Sequence, residues 1–164
     1  MTDSFTSALE GVKVLDLTEE RGLYAGKMLA DLGADVIKVE KPEGSKARRT
    51  GPFKDDSPGI ESSLYFLNFN TNKRGITLDI ASPAGQAILK QLVRRSDILL
   101  EDFEVGVMQA LGLDYAALRK LNKGIIVASI TGFGQTGPYN TFKAPDMVSF
   151  AMGGMMNLNG SRNA

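Results

Sequence analysis

The 164-residue sequence predicts an α/β fold, a Rossmann-like open parallel sheet with helices on both faces. Short β-rich apolar runs alternate with segments of helical periodicity along the chain. The first strand, helix and second strand follow one another so tightly that they predict a βαβ unit, which requires parallel strands and a right-handed crossover. Because one domain commonly takes about 100–200 residues, we expect residues 1–164 to form a single domain.

The first half of the chain carries this βαβ unit. Its predicted elements are a strand at 12–17, a helix at 22–32 that Gly33 ends, and a strand at 35–40. Residues 41–72 are rich in Pro, Gly, Ser and charge, which is typical of a long functional or disordered loop. Within this loop, residues 64–69 form an aromatic island, whose Tyr65, Phe66 and Phe69 we interpret as core or interface residues rather than a stacking platform.

The second half continues the alternation. Ser82 and Pro83 are residue types preferred at a helix N-cap and first helical position. Helical spacing continues through Arg95 and predicts a buried stripe of Ile88, Leu89, Leu92 and Val93. Further predicted elements are a strand at 75–80, a strand at 97–100, a short helix at 105–111, a helix from its cap Asp114 through Leu121, and a strand at 124–130.

Two expectations concern the end of the sequence. Residues 124–130 form a continuous apolar run, the pattern of a strand covered by helices on both faces, and we expect this strand to sit centrally in the sheet. Residues 148–156 are apolar and rich in glycine, and we interpret them as part of a helix packed closely on its neighbour. No internal repeat is visible.

Composition excludes several classes of function. Nineteen basic and nineteen acidic side chains cancel, which removes the broad positive field of nucleic-acid and anionic-membrane binders, so we expect neither partner. The chain has no Cys and no His, which excludes disulfides, thiolate and Ser-His nucleophiles and the commonest metal ligands, and we expect no metal. Residues 1–7 lack the pattern of a signal peptide, and a cytoplasmic location is the expectation.

A ligand site is expected beyond the carboxyl ends of the strands, because loops and helix N-termini converge there. Four segments qualify, at 18–22, 40–49, 101–106 and 131–143. Their cations suit a phosphorylated ligand, although the basic run at 46–49 is more often a solvated loop than a phosphate clamp. Asp102, which follows a strand, fits a helix N-cap as well as it fits a ligand contact. The glycine-rich segment 132–137 follows the wrong strand for a dinucleotide motif, and we reject that interpretation.

Residues 26–42, GKMLADLGADVIKVEKP, resemble the opening βαβ unit of the family III CoA-transferases of the CaiB/BaiF type. That group includes formyl-CoA and crotonobetainyl-CoA transferases and methylacyl-CoA racemases. Three further stretches resemble the same family in residue order and spacing. They lie at 70–79, at 100–103 with Gly106, and at 129–139. The resemblance covers nearly the whole chain, and implies the CoA-binding large-domain portion of a longer architecture whose small domain is absent.

The resemblance implies transfer of CoA between an acyl-CoA and a carboxylic acid through an aspartyl mixed anhydride. Carried over by position, it places CoA contacts at Lys41, Leu78, Asp79, Asp102, Phe103, Glu104, Phe142 and Lys143. Lys41 and Lys143 would pair with phosphates, while Leu78 and Phe103 would cover adenine or pantetheine. The family nucleophile lies a few tens of residues beyond the position of Asp146, so we expect no catalytic residue in this chain, which would supply CoA binding only.

Departures from the family keep alternatives open. Residues 18–24 lack the common Ala-Gly-Pro turn and look like two-subunit transferases acting on aromatic succinate derivatives, so the chain could be a non-catalytic subunit. A racemase-type relative would need a His before Asp146, where this sequence has Pro145. A self-sufficient enzyme would need Asp102 or Asp146 as its nucleophile.

The resemblance also bears on ligand charge and on assembly. Many members have Asn at the position of Asp102, where a carboxylate repels phosphates unless Lys or Arg offsets it. Full-length members form interlocked homodimers, which implies either a homodimer or a heteromer with a second transferase subunit. We expect exposed apolar surface around residues 148–156, which a missing partner segment would cover.

Overall fold

A five-stranded parallel sheet organises residues 7–159, the part of the chain that the computed structural model describes. Its strands are β1 (Lys13–Asp16), β2 (Asp35–Glu40), β3 (Arg74–Thr77), β4 (Ile98–Glu101) and β5 (Ile126–Ser129). They lie in the order β3-β2-β1-β4-β5, and every neighbouring pair is parallel. The chain builds outward from β1 in both directions, so the loops after β1 and β4 diverge at a topological switch point. The predicted fold class is confirmed.

Six α-helices accompany the sheet in the described residues. They are α1 (Leu23–Asp31), α2 (Leu64–Phe69), α3 (Pro83–Val93), α4 (Val107–Ala110), α5 (Tyr115–Leu121) and α6 (Asp146–Met152), with 3₁₀ segments at Lys46–Arg49, Lys54–Asp56 and Met155–Asn159. Two predicted helix starts are confirmed: Ser82 Oγ accepts the Gly85 N–H at 3.0 Å, and Asp114 Oδ1 accepts the Ala117 N–H at 2.8 Å. No helix in this part of the chain is long and apolar enough to cross a membrane.

Helices cover both faces of the sheet. Adjacent residues of a strand point to opposite faces, and Val14 and Leu15 of β1 accordingly join different apolar clusters. Leu15 packs in the cluster that contains Leu89 of α3 and Leu118 of α5, whereas Val14 packs in the cluster that contains Ala30 of α1. The predicted stripe of α3 is partly wrong, because Ile88 is 47% exposed while Leu89 and Val93 are buried.

The expectation that residues 124–130 form a central strand is wrong. Within the described residues β5 pairs with β4 alone and lies at the edge of the sheet, and Ile126 is 60% exposed. The central strand is β1, which pairs with β2 and β4. An apolar run is typical of a strand covered on both faces, but neither the cover nor the pairing of both edges follows from it, and β5 has no buried residue.

The long segment after β2 is more regular than its composition predicts. It contains α2 and two 3₁₀ segments, and Ser63 joins α2 to the first of these: its Oγ accepts the Phe66 N–H and shares its single proton between Ala47 O and Thr50 O. Phe66 is buried in a third apolar cluster, with Leu23 and Ala47. Tyr65 and Phe69 pack against that cluster, which confirms their interpretation as core aromatics.

The segment from α6 onward is helical, as predicted, but the predicted close packing is wrong because α6 has no buried residue. The expected exposed apolar surface is confirmed. Its large side chains, Met147, Phe150, Met152, Met155, Met156 and Leu158, are all exposed. We refer to these six side chains as the α6 surface.

Candidate functional site

A cleft of about 220 Å³ lies at the carboxyl edge of the sheet, where the loops after β1, β2 and β4 meet. We call it the strand-end cleft. Its lining residues are Glu19, Glu20, Arg21, Lys41, Lys46, Asp102, Phe103 and Glu104. A narrow groove of about 20 Å³ adjoins it through the shared residues Glu19, Lys41 and Phe103. We call this second space the apolar groove, and it is further lined by Leu17, Val39, Glu40, Leu78 and Ile80.

A larger depression, of about 370 Å³, lies elsewhere on the molecule. It runs along one face of α3 and the residues that follow it, lined by Ile88, Gln91, Leu92, Arg94 and Arg95. This depression draws its lining from a single element and is remote from the loops that follow the strands. The strand-end cleft gathers three loops at a switch point, which is where open α/β sheets bind ligands, and we therefore place the candidate site there.

Five of the eight residues predicted to contact a ligand come together at this edge. Lys41, Asp102, Phe103 and Glu104 line the strand-end cleft, and Leu78 lines the apolar groove. The prediction that Leu78 and Asp79 lie within a strand is wrong, because β3 ends at Thr77. The Leu78 N–H still donates to Glu40 O at 2.8 Å, so Leu78 sits at the carboxyl end of its strand, beside the other loops.

The remaining three predicted residues lie outside both cavities. Asp79 is exposed and shapes the turn into α3: its carboxylate accepts the Ala81 N–H at 3.0 Å and its carbonyl accepts the Ser82 N–H at 3.2 Å. Phe142 and Lys143 follow β5, whereas Lys41 follows β2, and β1 and β4 separate these two strands. Phe142 packs edge-on against Phe133, with ring centroids 6.4 Å apart. Their contact with a ligand stays a prediction.

Asp102 holds the loop between β1 and α1. Its side chain is almost buried, with the residue 8% exposed. Oδ1 accepts the Glu19 N–H at 2.8 Å, and Oδ2 accepts the N–H groups of Arg21 at 3.0 Å and Gly22 at 3.1 Å. The alternative prediction that Asp102 is a helix N-cap is wrong, because Gly106 holds that position in the helix that follows; Asp102 instead holds the loop that leads into α1. Its carboxylate lies beside the N-terminus of α1, where the helix dipole favours a negative charge.

Glu19 ties the same loop to the segment after β2. Its Oε2 accepts the Ser45 hydroxyl at 2.7 Å and the Lys46 N–H at 3.0 Å. Two walls of the strand-end cleft are thereby joined through one carboxylate. The Lys46 side chain is left to line the cleft.

Charge in the strand-end cleft is nearly balanced. Four carboxylates face three cations, those of Arg21, Lys41 and Lys46. Within residues 7–159 the ion pairs involve neither lysine, whereas Arg21 pairs with Glu104, Nη2 to Oε1, at 3.2 Å. That pair is largely solvent-exposed, at 39% for the Arg21 side chain and 71% for that of Glu104.

A buried polar network lies beneath the loop and was not anticipated from the sequence. Asp16 is fully buried; its Oδ1 accepts the Thr18 N–H and hydroxyl, and its Oδ2 accepts Lys73 Nζ at 2.7 Å. Lys73 Nζ also donates to Leu23 O and Asn70 Oδ1, so its three protons are all used. Burial lowers the pKa of Lys73, and the adjacent Asp16 carboxylate opposes that effect.

Lys38 is the second buried lysine of this network. Its Nζ donates to Thr18 O and lies 3.7 Å from Asp16 Oδ1. The signal for the network was present in the sequence as Asp16 and Lys38, charged residues inside otherwise apolar strand runs. Charged side chains are almost never fully buried unless they are paired, so each position implied a partner that the sequence did not identify.

The basic run at 46–49 has a role that neither interpretation foresaw. Arg48 forms a two-point ion pair with Glu40, at 2.6 and 2.8 Å, and its guanidinium lies 3.8 Å from the ring centroid of Phe66. Burial alone would raise the pKa of Glu40, but hydrogen bonds from Arg48 and from the Ser45 N–H outweigh it and lower that pKa. The Glu40 hydrogen bonds in turn raise the pKa of Arg48. Arg48 is therefore committed to the fold, and Lys46 is the member of the run that lines the cleft.

Comparison with known proteins gives a consistent result. The family model described as CoA-transferase family III matches residues 9–164. A succinate–glutarate CoA-transferase of Agrobacterium fabrum is 44% identical over 156 residues, covering 93% of this chain and 39% of the relative. A formyl-CoA:oxalate CoA-transferase of Streptomyces avermitilis is 46% identical, with 94% of this chain and 37% of the relative covered. The chain thus spans well under half the length of these curated relatives.

Two further similarities bear on the alternatives. Subunit BbsE of the succinyl-CoA:(R)-benzylsuccinate CoA-transferase of Thauera aromatica is 39% identical over 148 residues, covering 90% of this chain and 36% of the relative. Among solved structures, a CaiB/BaiF family protein from Brucella suis superposes with a TM-score of 0.88 at 41% identity, covering 96% of this chain and 42% of that one. The chain belongs to CoA-transferase family III.

Proposed function

We propose that this chain forms the coenzyme A-binding part of a family III CoA-transferase, which moves CoA from an acyl-CoA donor to a carboxylic acid acceptor. Family membership implies CoA thioesters as substrates. The observation that carries the proposal is the strand-end cleft, which gathers Lys41, Asp102, Phe103 and Glu104 from two separate loops at a topological switch point.

The two cavities suit different parts of CoA, one polar and one apolar. Lys41 and Lys46 line the strand-end cleft and are available for phosphate oxygens. Leu78 and Phe103 line the apolar groove and would cover adenine or pantetheine. Ligand sites for drug-sized molecules have volumes of roughly 300–1,000 Å³. The cleft, at about 220 Å³, would therefore hold the phosphorylated part of CoA, while the rest extends along the groove.

The reaction that the family implies proceeds through covalent intermediates. An aspartate carboxylate attacks the thioester carbonyl, the C–S bond breaks, and CoA leaves as the thiolate while a mixed anhydride forms. Alternating attacks by thiolate and by the acceptor carboxylate complete the exchange. Asp102 is unsuited to this role because three N–H donors stabilise its carboxylate and lower its nucleophilicity. We assign the chain the binding of CoA and assign the nucleophile to none of its described residues.

Isothermal titration of the 164-residue chain with CoA tests the proposal. We expect binding without turnover, and Lys41→Gln should weaken it about three- to tenfold because one charge-assisted phosphate contact is lost. Lys120→Gln is the matched control, since Lys120 is an exposed lysine of α5 outside both cavities. Absence of heat at millimolar CoA, or equal losses in the two variants, would contradict the proposal.

A second candidate is a subunit of a two-subunit transferase whose active site another polypeptide completes. The likeness to subunit BbsE and the exposed α6 surface favour it. Co-purification of a second chain that restores transfer activity would support this candidate. A chain that transfers CoA by itself, with activity abolished by Asp146→Ala or Asp102→Ala, would contradict both candidates.

A further inference from the structure

Three N–H groups of the loop before α1 are already used by one carboxylate of the protein. The N–H groups of Glu19, Arg21 and Gly22 all donate to the Asp102 carboxylate. In many nucleotide-binding α/β folds the first helix N-terminus holds a phosphate through backbone N–H groups, but here the protein's own carboxylate accepts three N–H groups of the loop that leads into that helix. The side-chain cations of the strand-end cleft are therefore the groups to consider for binding an anion there.

Arg21 is the cation of the cleft whose position is best defined. Its backbone N–H is anchored to Asp102 at 3.0 Å, while its side chain reaches Glu104. The backbone at Arg21 is thus bonded to a nearly buried residue, whereas its side chain is 39% exposed. Lys41 and Lys46, by contrast, lie on the facing wall, after β2.

The contact between Arg21 and Glu104 is a poor match for a guanidinium. Both Nη1 and Nη2 approach a single oxygen, Oε1, at 3.3 and 3.2 Å. A guanidinium prefers two parallel bonds to two oxygens, at about 2.7–2.9 Å. Exposed pairs of this kind contribute little to stability, because solvent screens them. A phosphate group, with several oxygens in reach, would satisfy the Arg21 fork better than Glu104 does.

We propose that Arg21 is a further phosphate-binding residue of the strand-end cleft, and that Glu104 is an internal carboxylate that holds its guanidinium until a ligand phosphate replaces it. The inference rests on the proposed binding of CoA. It gives Glu104 a competing role in place of the direct contact that the family resemblance implies. It also accounts for two opposite charges in one cleft: Arg21 offsets the repulsion that Glu104 would exert on a polyanion.

A double-mutant cycle measured by titration with CoA tests the inference. Glu104→Gln should tighten binding about two- to fivefold, because Arg21 no longer has a competing partner. Arg21→Gln should weaken binding roughly three- to tenfold. In the double variant the gain from Glu104→Gln should vanish, because that gain operates through Arg21. Pantetheine, which lacks a phosphate, should bind the wild-type chain, the two single variants and the double variant equally.

The control separates a specific contact from the general charge of the cleft. Glu20 lines the same cleft, and within the described residues it forms no ion pair. Glu20→Gln removes the same charge, and its smaller effect, under about twofold, should persist in the Arg21→Gln background. A gain from Glu104→Gln that persists without Arg21, or that Glu20→Gln equals, would overturn the inference while leaving CoA binding intact. A wild-type chain that binds no CoA would instead overturn the proposed function, and this inference with it.

Discussion

The carboxylate of Asp102, at the end of β4, lies 3.1 Å from the backbone N–H of Gly22, the residue that precedes α1. Two elements about eighty residues apart in sequence are thereby joined at the mouth of the cleft. Residues that precede a helix have N–H groups without partners inside the helix, and burying them unsatisfied is costly. Asp102 resolves that cost for three N–H groups at once, and the shape of the β1–α1 loop depends on it.

Asp102→Asn should therefore destabilise the fold. An amide presents one acceptor oxygen and one NH₂ donor, so on one side of the group a donor would face the N–H groups of the loop. We expect a loss of about 1–3 kcal/mol in the free energy of unfolding, measured with urea. Glu104→Gln makes the analogous change two residues away at an exposed side chain and should cost under about 1 kcal/mol. Equal losses would show that Asp102 does not hold the loop.

Gly26→Ala should lower the free energy of unfolding. This is the opposite of the usual effect, since alanine in a helix interior normally stabilises a protein by about 1 kcal/mol relative to glycine. A Cβ at Gly26 would collide with the Asp16 carboxylate and lie 2.9 Å from Lys73 Nζ, so the buried ion pair would have to move. We expect the free energy of unfolding to fall by about 2 kcal/mol or more.

Gly75→Ala is the matched control for that substitution. A Cβ at Gly75, in β3, would meet no atom within 4 Å. We expect thermal unfolding to show an unchanged free energy of unfolding, or an increase of up to about 1 kcal/mol, because alanine reduces the conformational freedom of the unfolded chain. A stabilised Gly26→Ala variant would contradict the close approach between α1 and the Asp16–Lys73 pair.

Lys73→Met should be strongly destabilising, because it leaves the buried Asp16 carboxylate without its nearest cation. Removal of one partner from a buried pair typically costs about 3–5 kcal/mol, and Lys38, 3.7 Å from Asp16, keeps the expected loss near the lower end. The same substitution at Lys27, which pairs with Asp31 at 2.7 Å on the surface, should cost under about 1 kcal/mol. Similar denaturation midpoints for the two variants would exclude a structural role for the buried network.

Glu40→Gln should change the acid stability of the protein. The pKa of Glu40 is lowered from its ordinary value of 4.5 by its hydrogen bonds with Arg48 and Ser45, against the effect of burial. Below pH 4.5 the unfolded chain binds this proton first, so the stabilisation is complete above pH 4.5 and is lost as the pH falls through the lowered pKa.

The measurement is the difference in unfolding free energy between wild type and Glu40→Gln across this pH range. We expect a constant difference of about 1.5–3 kcal/mol above pH 4.5 and a shrinking difference below it. Glu61→Gln removes the other carboxylate that contacts Arg48, but that side chain is 80% exposed, so the difference should stay small at every pH. If the difference in unfolding free energy between wild type and Glu40→Gln instead grew as the pH fell, the pKa of Glu40 would be raised in the folded protein and not lowered.

Local sequence signals predicted most of the elements. Ser82 and Pro83 set the start of α3, and Asp114 the start of α5, because a cap depends on residues only three positions apart. Helix α2 was missed because its six residues are too few to show a helical period, although its cap is as local as the other two: Ser63 Oγ accepts the Phe66 N–H.

The sequence by itself determined the alternation of strands and helices, the parallel sheet and the strand-end positions of Lys41 and Phe103, since these follow from periodicity and order along the chain. Only the tertiary structure decided that β5 lies at the edge, that Asp102 holds the β1–α1 loop, and that Lys38 and Lys73 share Asp16. These features depend on which distant residues meet. A local sequence pattern indicates whether a residue is buried or exposed, but it does not indicate which distant residue that residue contacts.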